Sequence, residues 1–306
     1  MRNIKQNVTE LIGHTPLMRV NNIERNNGVD AEILVKIEAM NPGGSAKDRP
    51  ALKMIEDAVA AGTLKEGGTI IEPTSGNTGV GLAMVAASRG YKAIMVMPET
   101  MSIERRKLLA AFGADIVLTE GAKGMAGAVE KAEEIHAATD NSIIAGQFVN
   151  PSNYEAHIET TGPEIWEDVD GKIDIFVAGM GTGGTITGTG KYLKEKNPDI
   201  KIVMIEPADS PLVSEGRPGA HGLQGIGANF IPEIFDRSIC DEIFTVTTEQ
   251  AMDKMAELAK TEGVFAGITS GAAVYAAVEI AKREENRGKT IVAFLPDTGE
   301  RYLSVL

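Results

Sequence analysis

Three short stretches concentrate the residue types that can do chemistry. The first is Asn41-Pro42-Gly43-Gly44-Ser45-Ala46-Lys47-Asp48-Arg49, which sets one lysine just past two glycines at an expected helix start. Helix N–H groups disfavour an ammonium there and lower the amine's pKa, which suits an amine that forms an imine. The ordinary alternative is a solvated first-turn lysine. The second stretch, Thr74-Ser75-Gly76-Asn77-Thr78-Gly79, offers hydroxyls, an amide and backbone N–H groups but no charge. Neutral donors at a helix start suit a carboxylate, although Ser and Asn also make ordinary caps. In the third, Gly181-Thr182-Gly183-Gly184-Thr185, glycines let the backbone approach an anion. A helix starting there points unpaired N–H groups and its positive dipole end at that anion, which makes a phosphate cradle. A tight turn between strand and helix is the alternative.

A rival chemistry overlaps the third stretch. Gly179-x-Gly181-x-x-Gly184 matches the dinucleotide fingerprint, and Glu206 ends the next strand where a ribose-binding acid belongs. On that segment alone a nicotinamide dehydrogenase is a fair reading, but it leaves Lys47 and residues 74–79 without a task. Other chemistries are set aside. His14, His136, His157 and His221 are scattered and Cys240 has no cysteine partner, so no metal site is expected. Gly288-Lys289-Thr290 resembles the end of a P-loop but precedes a strand, so it reads as a turn.

The elements that must position these residues alternate along the chain. Residues 32–38, 69–72, 93–97 and 115–118 read as strands. Helices are expected over 47–61, from the 74–79 loop to Arg89, over 103–112, and over about 125–138. The pattern restarts with strands at 174–178, 201–205, near 243–246 and at 291–295. Its helices are expected near 185–195, 248–261 and 271–284. Short apolar strands alternating with helices predict parallel sheets covered on both faces. The fold class is therefore α/β, with two doubly wound, mostly parallel-sheet domains. Each carries its glycine loop at the carboxyl end of a strand, where such sheets bind ligands, and a cleft between the domains is expected to unite the loops. Residues 207–232, rich in Pro, Gly and Ser, are too long for a plain connector and read as a functional loop.

Composition narrows the partners. The formal charge is −13, from 30 Lys plus Arg and 43 Asp plus Glu, a poor match for nucleic acid or an anionic membrane. The start lacks the apolar stretch of a secretory signal, and no apolar run approaches the ~20 residues of a membrane helix. One cysteine, Cys240, makes no internal disulfide. A cytoplasmic location is expected.

With these residues in view, the motifs NPGGSAKDR, EPTSGNTG, GTGGT, QGIG and PDTGERYLS, in that order, resemble the cysteine synthase (O-acetylserine sulfhydrylase) family. That family belongs to the pyridoxal phosphate (PLP) dependent enzymes with the tryptophan synthase β-subunit-like fold (fold type II). The likeness runs from LIGHTPL at 11–17 to Ser304. It implies that residues 1–38 and 151–306 form a larger domain and 39–150 a smaller one carrying the substrate loop. It further implies that Lys47 binds the cofactor covalently and is catalytic. Gly181, Thr182, Gly183, Gly184 and Thr185 then hold its phosphate, Asn77 its ring oxygen and Ser270 its pyridine nitrogen. Thr74, Ser75, Gly76, Thr78 and Gln147 bind the substrate carboxylate, and Gly225 lines the closing site. The implied reaction is β-replacement on an amino acid, making cysteine from O-acetyl-L-serine and sulfide through an α-aminoacrylate. Related reactions of the cystathionine β-synthase or cysteine-consuming kind keep every motif. A homodimer and a complex with serine acetyltransferase are the partners implied. Two departures stand out: Asn229 where the family often has Gly, and Gly222-Leu223 where it commonly has Lys-Ile.

Overall fold

The computed structural model describes residues 4–305. Residues 1–3 and 306, which fall at the ends of the expected domain division, lie outside the described residues. The strands are β1 (Leu17–Arg19), β2 (Glu32–Ile37), β3 (Thr69–Pro73), β4 (Lys92–Pro98), β5 (Asp115–Thr119), β6 (Ser142–Ile144), β7 (Ile175–Gly179), β8 (Lys201–Pro207), β9 (Glu242–Val246) and β10 (Thr290–Leu295). The helices are α1 (Asn21–Asn27), α2 (Asp48–Ala60), α3 (Asn77–Arg89), α4 (Ile103–Ala111), α5 (Gly124–Ala137), α6 (Ser152–Ala156), α7 (Gly162–Asp168), α8 (Gly184–Lys196), α9 (Leu212–Glu215), α10 (Thr248–Glu262) and α11 (Ile268–Ala281). No helix among the described residues is long and apolar enough to cross a membrane.

The chain divides into two compact units. The smaller takes the described residues up to Ile12 and Asn41–Asn153; the larger takes Gly13–Met40 and Tyr154 onward. The likeness to the cysteine synthase family implies that the residues up to 38 belong to the larger unit. Val8 and Ile12 instead pack on the smaller core, and the Thr9 hydroxyl accepts a bond from Arg89 at 2.9 Å. The short segment goes where its apolar side chains find cover.

The smaller unit holds a four-stranded sheet in the order β5-β4-β3-β6, all parallel. The chain steps from β3 to β4 to β5, then returns to lay β6 on the other side of β3. The carboxyl ends of β3 and β6 therefore flank the point where the winding direction changes, the usual ligand position in such sheets. Ile70 faces α2 and α3, whereas Ile71 faces α5, as the two-residue strand period requires.

The larger unit holds a six-stranded sheet in the order β1-β2-β10-β7-β8-β9. Only β1 runs antiparallel; it pairs with β2 through Leu17 and Lys36. Here the direction changes between β7 and β10. The helix α11 lies buried over almost its full length among Ile268, Val274, Val278 and its alanines. A helix apolar on all sides is stable only inside a core.

Candidate active site

In the smaller unit, Lys47 stands at the N-cap of α2 and is half-buried. Its turn is built by Gly44, which has φ +75°, and by a bond from the Gly43 N–H to Asp48 Oδ2 at 2.5 Å. A Cβ on Gly43 would meet the Asp48 carboxylate at 2.4 Å, so the turn admits only glycine there. Gly81 of α3 then lets α2 come close: a Cβ on it would lie 3.0 Å from the Lys47 carbonyl oxygen. Asn77 sits one turn before Gly81, and residues four apart share a helix face. Lys47 and Asn77 are thus brought to one side of α3.

The loop after β3 leads into α3 through Gly76. The Gly76 N–H donates to Thr74 Oγ1 at 3.2 Å, and the Ser75 hydroxyl lies 2.9 Å from Met101 Sδ. The buried Thr78 hydroxyl donates to Gln147 Oε1 at 2.6 Å. That pair joins residues 69 positions apart, and it exists because β6 returns beside β3. Asn153 Nδ2 holds the Gln147 carbonyl at 2.7 Å. Beneath the loop lies Glu72, buried on β3, whose carboxyl accepts from the Gly146 N–H at 2.7 Å and the Gln147 N–H at 3.3 Å.

Burial pushes the Glu72 carboxyl up from 4.5 to about 7, against the pull of the Gly146 and Gln147 N–H groups and the Gln147 side chain. An acid with a raised folded pKa binds its proton more tightly when folded. Its contribution to stability is therefore complete below pH ~4.5 and lost as pH rises through about 7, a change on the order of 3 kcal/mol. In urea unfolding between pH 4.5 and 8, Glu72→Gln is expected to flatten that part of the wild-type decline. Identical pH slopes for the two proteins would contradict it.

In the larger unit, β7 ends at Gly179 and α8 begins at Gly184. Gly183 takes the left-handed conformation at φ +86°, which turns the chain so that the first N–H groups of α8 open on the loop. Thr182, Gly183 and Gly184 are buried and Thr185 is half-buried. The loop at Gly225 lies against this cradle: a Cβ on Gly181 would be 2.3 Å from the Gly225 oxygen, and the Gly227 N–H reaches Met180 O at 3.2 Å. Sequence reasoning missed His157, buried in the π-helical turn His157–Thr161. Its ring lies between Thr161 Oγ1 at 2.8 Å and Thr185 Oγ1 at 3.3 Å, and so orients a cradle hydroxyl. Nothing in its spacing announced this. The one sequence signal is Gly188, a glycine inside α8 that makes room for it.

Ser270 lies in the first turn of α11, fully buried, and its Oγ has no hydrogen-bond partner among the described residues. The closing PDTGERY motif holds that helix start. The Gly267 N–H donates to Asp297 O at 2.9 Å, Ala266 bridges Thr298, and the Tyr302 hydroxyl donates to Asp297 Oδ2 at 2.6 Å. Tyr302→Phe removes that buried donor and is expected to cost roughly 1–3 kcal/mol in urea unfolding. An unchanged midpoint and slope would contradict it.

The rival readings resolve on geometry. Glu206 is neither a ribose ligand nor a solvated carboxylate. It is buried and caps α9, accepting from Val213 N at 2.9 Å and Ser214 N at 3.1 Å. Gly288 turns the chain at φ +71° and β10 follows at once. Asn229 sits at φ +60° and its Oδ1 accepts from the Ser210 hydroxyl at 2.9 Å. An asparagine adopts that conformation more readily than most side chains, which is why it can stand in a position suited to glycine. No metal-holding group of three or more His, Cys, Asp or Glu occurs among the described residues.

PLP fits the residues present. The cradle offers close backbone approach and helix N–H groups to a phosphate, Lys47 offers an amine, and Ser270 brings a buried hydroxyl with no protein partner. The comparisons agree. The family model "Pyridoxal-phosphate dependent enzyme" matches residues 8–297. Cysteine synthase of Staphylococcus aureus is 53% identical over 299 residues, covering 97% of this chain and 95% of that one. The crystal structure of cysteine synthase (OASS) from Entamoeba histolytica superposes with a TM-score of 0.96 at 43% identity, covering 99% of this chain and 90% of that one. That of a hydrogen sulfide-producing enzyme from Fusobacterium nucleatum gives 0.92 at 45% identity, covering 98% and 100%. A match over nearly the whole length, on a fold whose glycine loops lead into the starts of α2, α3 and α8, places this chain in the family of pyridoxal-phosphate dependent enzymes.

Proposed function

We propose that this protein makes cysteine by β-replacement, taking O-acetyl-L-serine and sulfide and releasing acetate. The observation that carries the reading is the buried Ser270 hydroxyl, left without a partner at the start of α11. It is a neutral group where an acid would hold the cofactor's ring nitrogen protonated. PLP, when bound, supplies the sink for the electron pair released at the substrate's α-carbon. Lys47 anchors the cofactor, and its amine, once freed, accepts the α-proton. Thr74, Ser75, Gly76, Thr78 and Gln147 hold the substrate carboxylate through neutral donors. Gly181 to Thr185 hold the phosphate, Asn77 the ring oxygen, and Gly225 lies beside the cradle. A neutral partner at the ring nitrogen disfavours a long-lived carbanion and so favours loss of the β-substituent over transamination.

The near end-to-end likeness to cysteine synthases supports this choice of substrates. The test is direct: purified protein should be yellow, and O-acetyl-L-serine with sulfide should give cysteine. A colourless protein that binds NAD, or one that leaves O-acetyl-L-serine unchanged, would overturn the reading. A second reading, release of sulfide from cysteine, draws support from the 45% identity to the Fusobacterium enzyme. Running the assay with L-cysteine and water separates the two. We also read the protein as a cytoplasmic homodimer open to serine acetyltransferase; light scattering of the pure chain, alone and mixed with that enzyme, checks both associations.

A further inference from the structure

Glu72 is a buried carboxyl that the chemistry above does not use. It stands on β3 two residues before Thr74, and its side chain crosses to the segment after β6. There it accepts the backbone N–H groups of Gly146 and Gln147 through separate oxygens, Oε2 and Oε1. Those two donors follow a three-residue strand, and Gly146 turns at φ +70°, so the sheet ladder offers them no acceptor. The same Gln147 is gripped at two further points: Thr78 Oγ1 donates to its Oε1 and Asn153 Nδ2 to its carbonyl. Gln147 is thus fixed at its backbone by Glu72 and at its side chain by Thr78. A carboxylate is an expensive acceptor in a dry site, and burial raises its pKa to about 7. A carboxyl, with two acceptor oxygens, satisfies both N–H groups at once without sharing an atom between them.

We propose that Glu72 is a positioning residue for Gln147, and that by clamping the Gly146–Gln147 backbone it sets the affinity of the site for the carboxylate of the amino-acid substrate. This rests on the functional reading above, in which Gln147 helps hold that carboxylate. Glu72 acts through Gln147 and takes no part in proton transfer.

The test compares wild type, Glu72→Ala and Glu72→Gln as PLP-loaded enzymes at pH 8. Glu72→Ala is expected to raise KM for O-acetyl-L-serine about tenfold, with kcat and the KM for sulfide within about twofold and PLP content unchanged. Glu72→Gln keeps one acceptor and should fall between. It also serves as the working variant if the alanine protein does not fold. Hydrogen exchange, read by mass spectrometry on the peptide spanning residues 145–150, should speed up in both variants even without cofactor. In a Gln147→Ala background the Glu72 changes should add no further rise in KM, because both act through one side chain.

A wild-type KM in both folded, PLP-loaded variants would overturn the assignment. So would a loss of kcat, sulfide KM and PLP content in step, which marks a purely structural role, or additive effects with Gln147→Ala. A wild-type protein that takes up no PLP or leaves O-acetyl-L-serine untouched is a different result: it sinks the functional reading and this proposal with it. Normal wild-type turnover with an unaltered KM in the variants removes Glu72 alone.

Discussion

Lys47→Ala is expected to abolish cysteine formation almost completely, lowering kcat by roughly 10³–10⁴-fold while the protein remains folded. The proposed function asks the lysine for two things that no neighbour of its own turn supplies: an amine that bonds the cofactor and a base for the α-proton. Gly43, Gly44, Ser45 and Ala46 offer no titratable group, and Asp48 is buried against the Gly43 N–H. The lysine side chain does not cap α2, so its loss should move stability by no more than about 0.5 kcal/mol. The loop at Gly181 to Thr185, proposed to hold the phosphate, is untouched, and the variant should still take up PLP, non-covalently. Borohydride reduction followed by peptide mapping checks the chemistry: the wild-type label belongs on Lys47, and the variant should carry none. A variant with wild-type turnover, or a label on another lysine, would refute the role.

Gly181→Ala is the second large effect. The new Cβ would lie 2.3 Å from the Gly225 carbonyl oxygen, a backbone atom that no rotamer change can move. The two loops must part, at an expected cost of roughly 1–3 kcal/mol. If the parted loop holds the phosphate as proposed, that cost should appear in cofactor binding, as PLP affinity weaker by about 10- to 100-fold. Dialysis followed by PLP quantitation measures it. Full retention of PLP by Gly181→Ala would show that the phosphate is held elsewhere.

Much of the fold was legible because its long elements repeat cleanly. Strands β3, β4, β7, β8 and β10 are mostly apolar runs buried on both faces, and the helices between them carry an apolar stripe or small residues. What escaped was short or irregular. The strands β1 and β6 have three residues each, too few for any period to register. No helix is expected from the pattern over α6, the π-helical turn and α7, although this region brings His157 to Thr185. Glu72 closes an expected strand with nothing in its spacing to mark it; only its burial and its two N–H partners distinguish it from a solvated acid.

The local devices are legible in adjacent residues: Lys47 after Gly43-Gly44, the neutral donors of Thr74 to Thr78, the glycine loop at 181–185, and through them the cofactor class. Each is a turn leading into a helix, and such motifs are written in a few adjacent residues. The tertiary structure alone decided which distant residues serve them. Gln147 meets Thr78 because β6 returns beside β3, and Gly225 lies on Gly181 because the long loop folds back over the end of β7. Ser270 is held in place because the chain's last motif bonds to Gly267. It also decided against Glu206 by burying it as the cap of α9. Pairings of this kind depend on strand order and on the direction in which each sheet is wound. Those are properties of the whole chain, and no short window of it contains them.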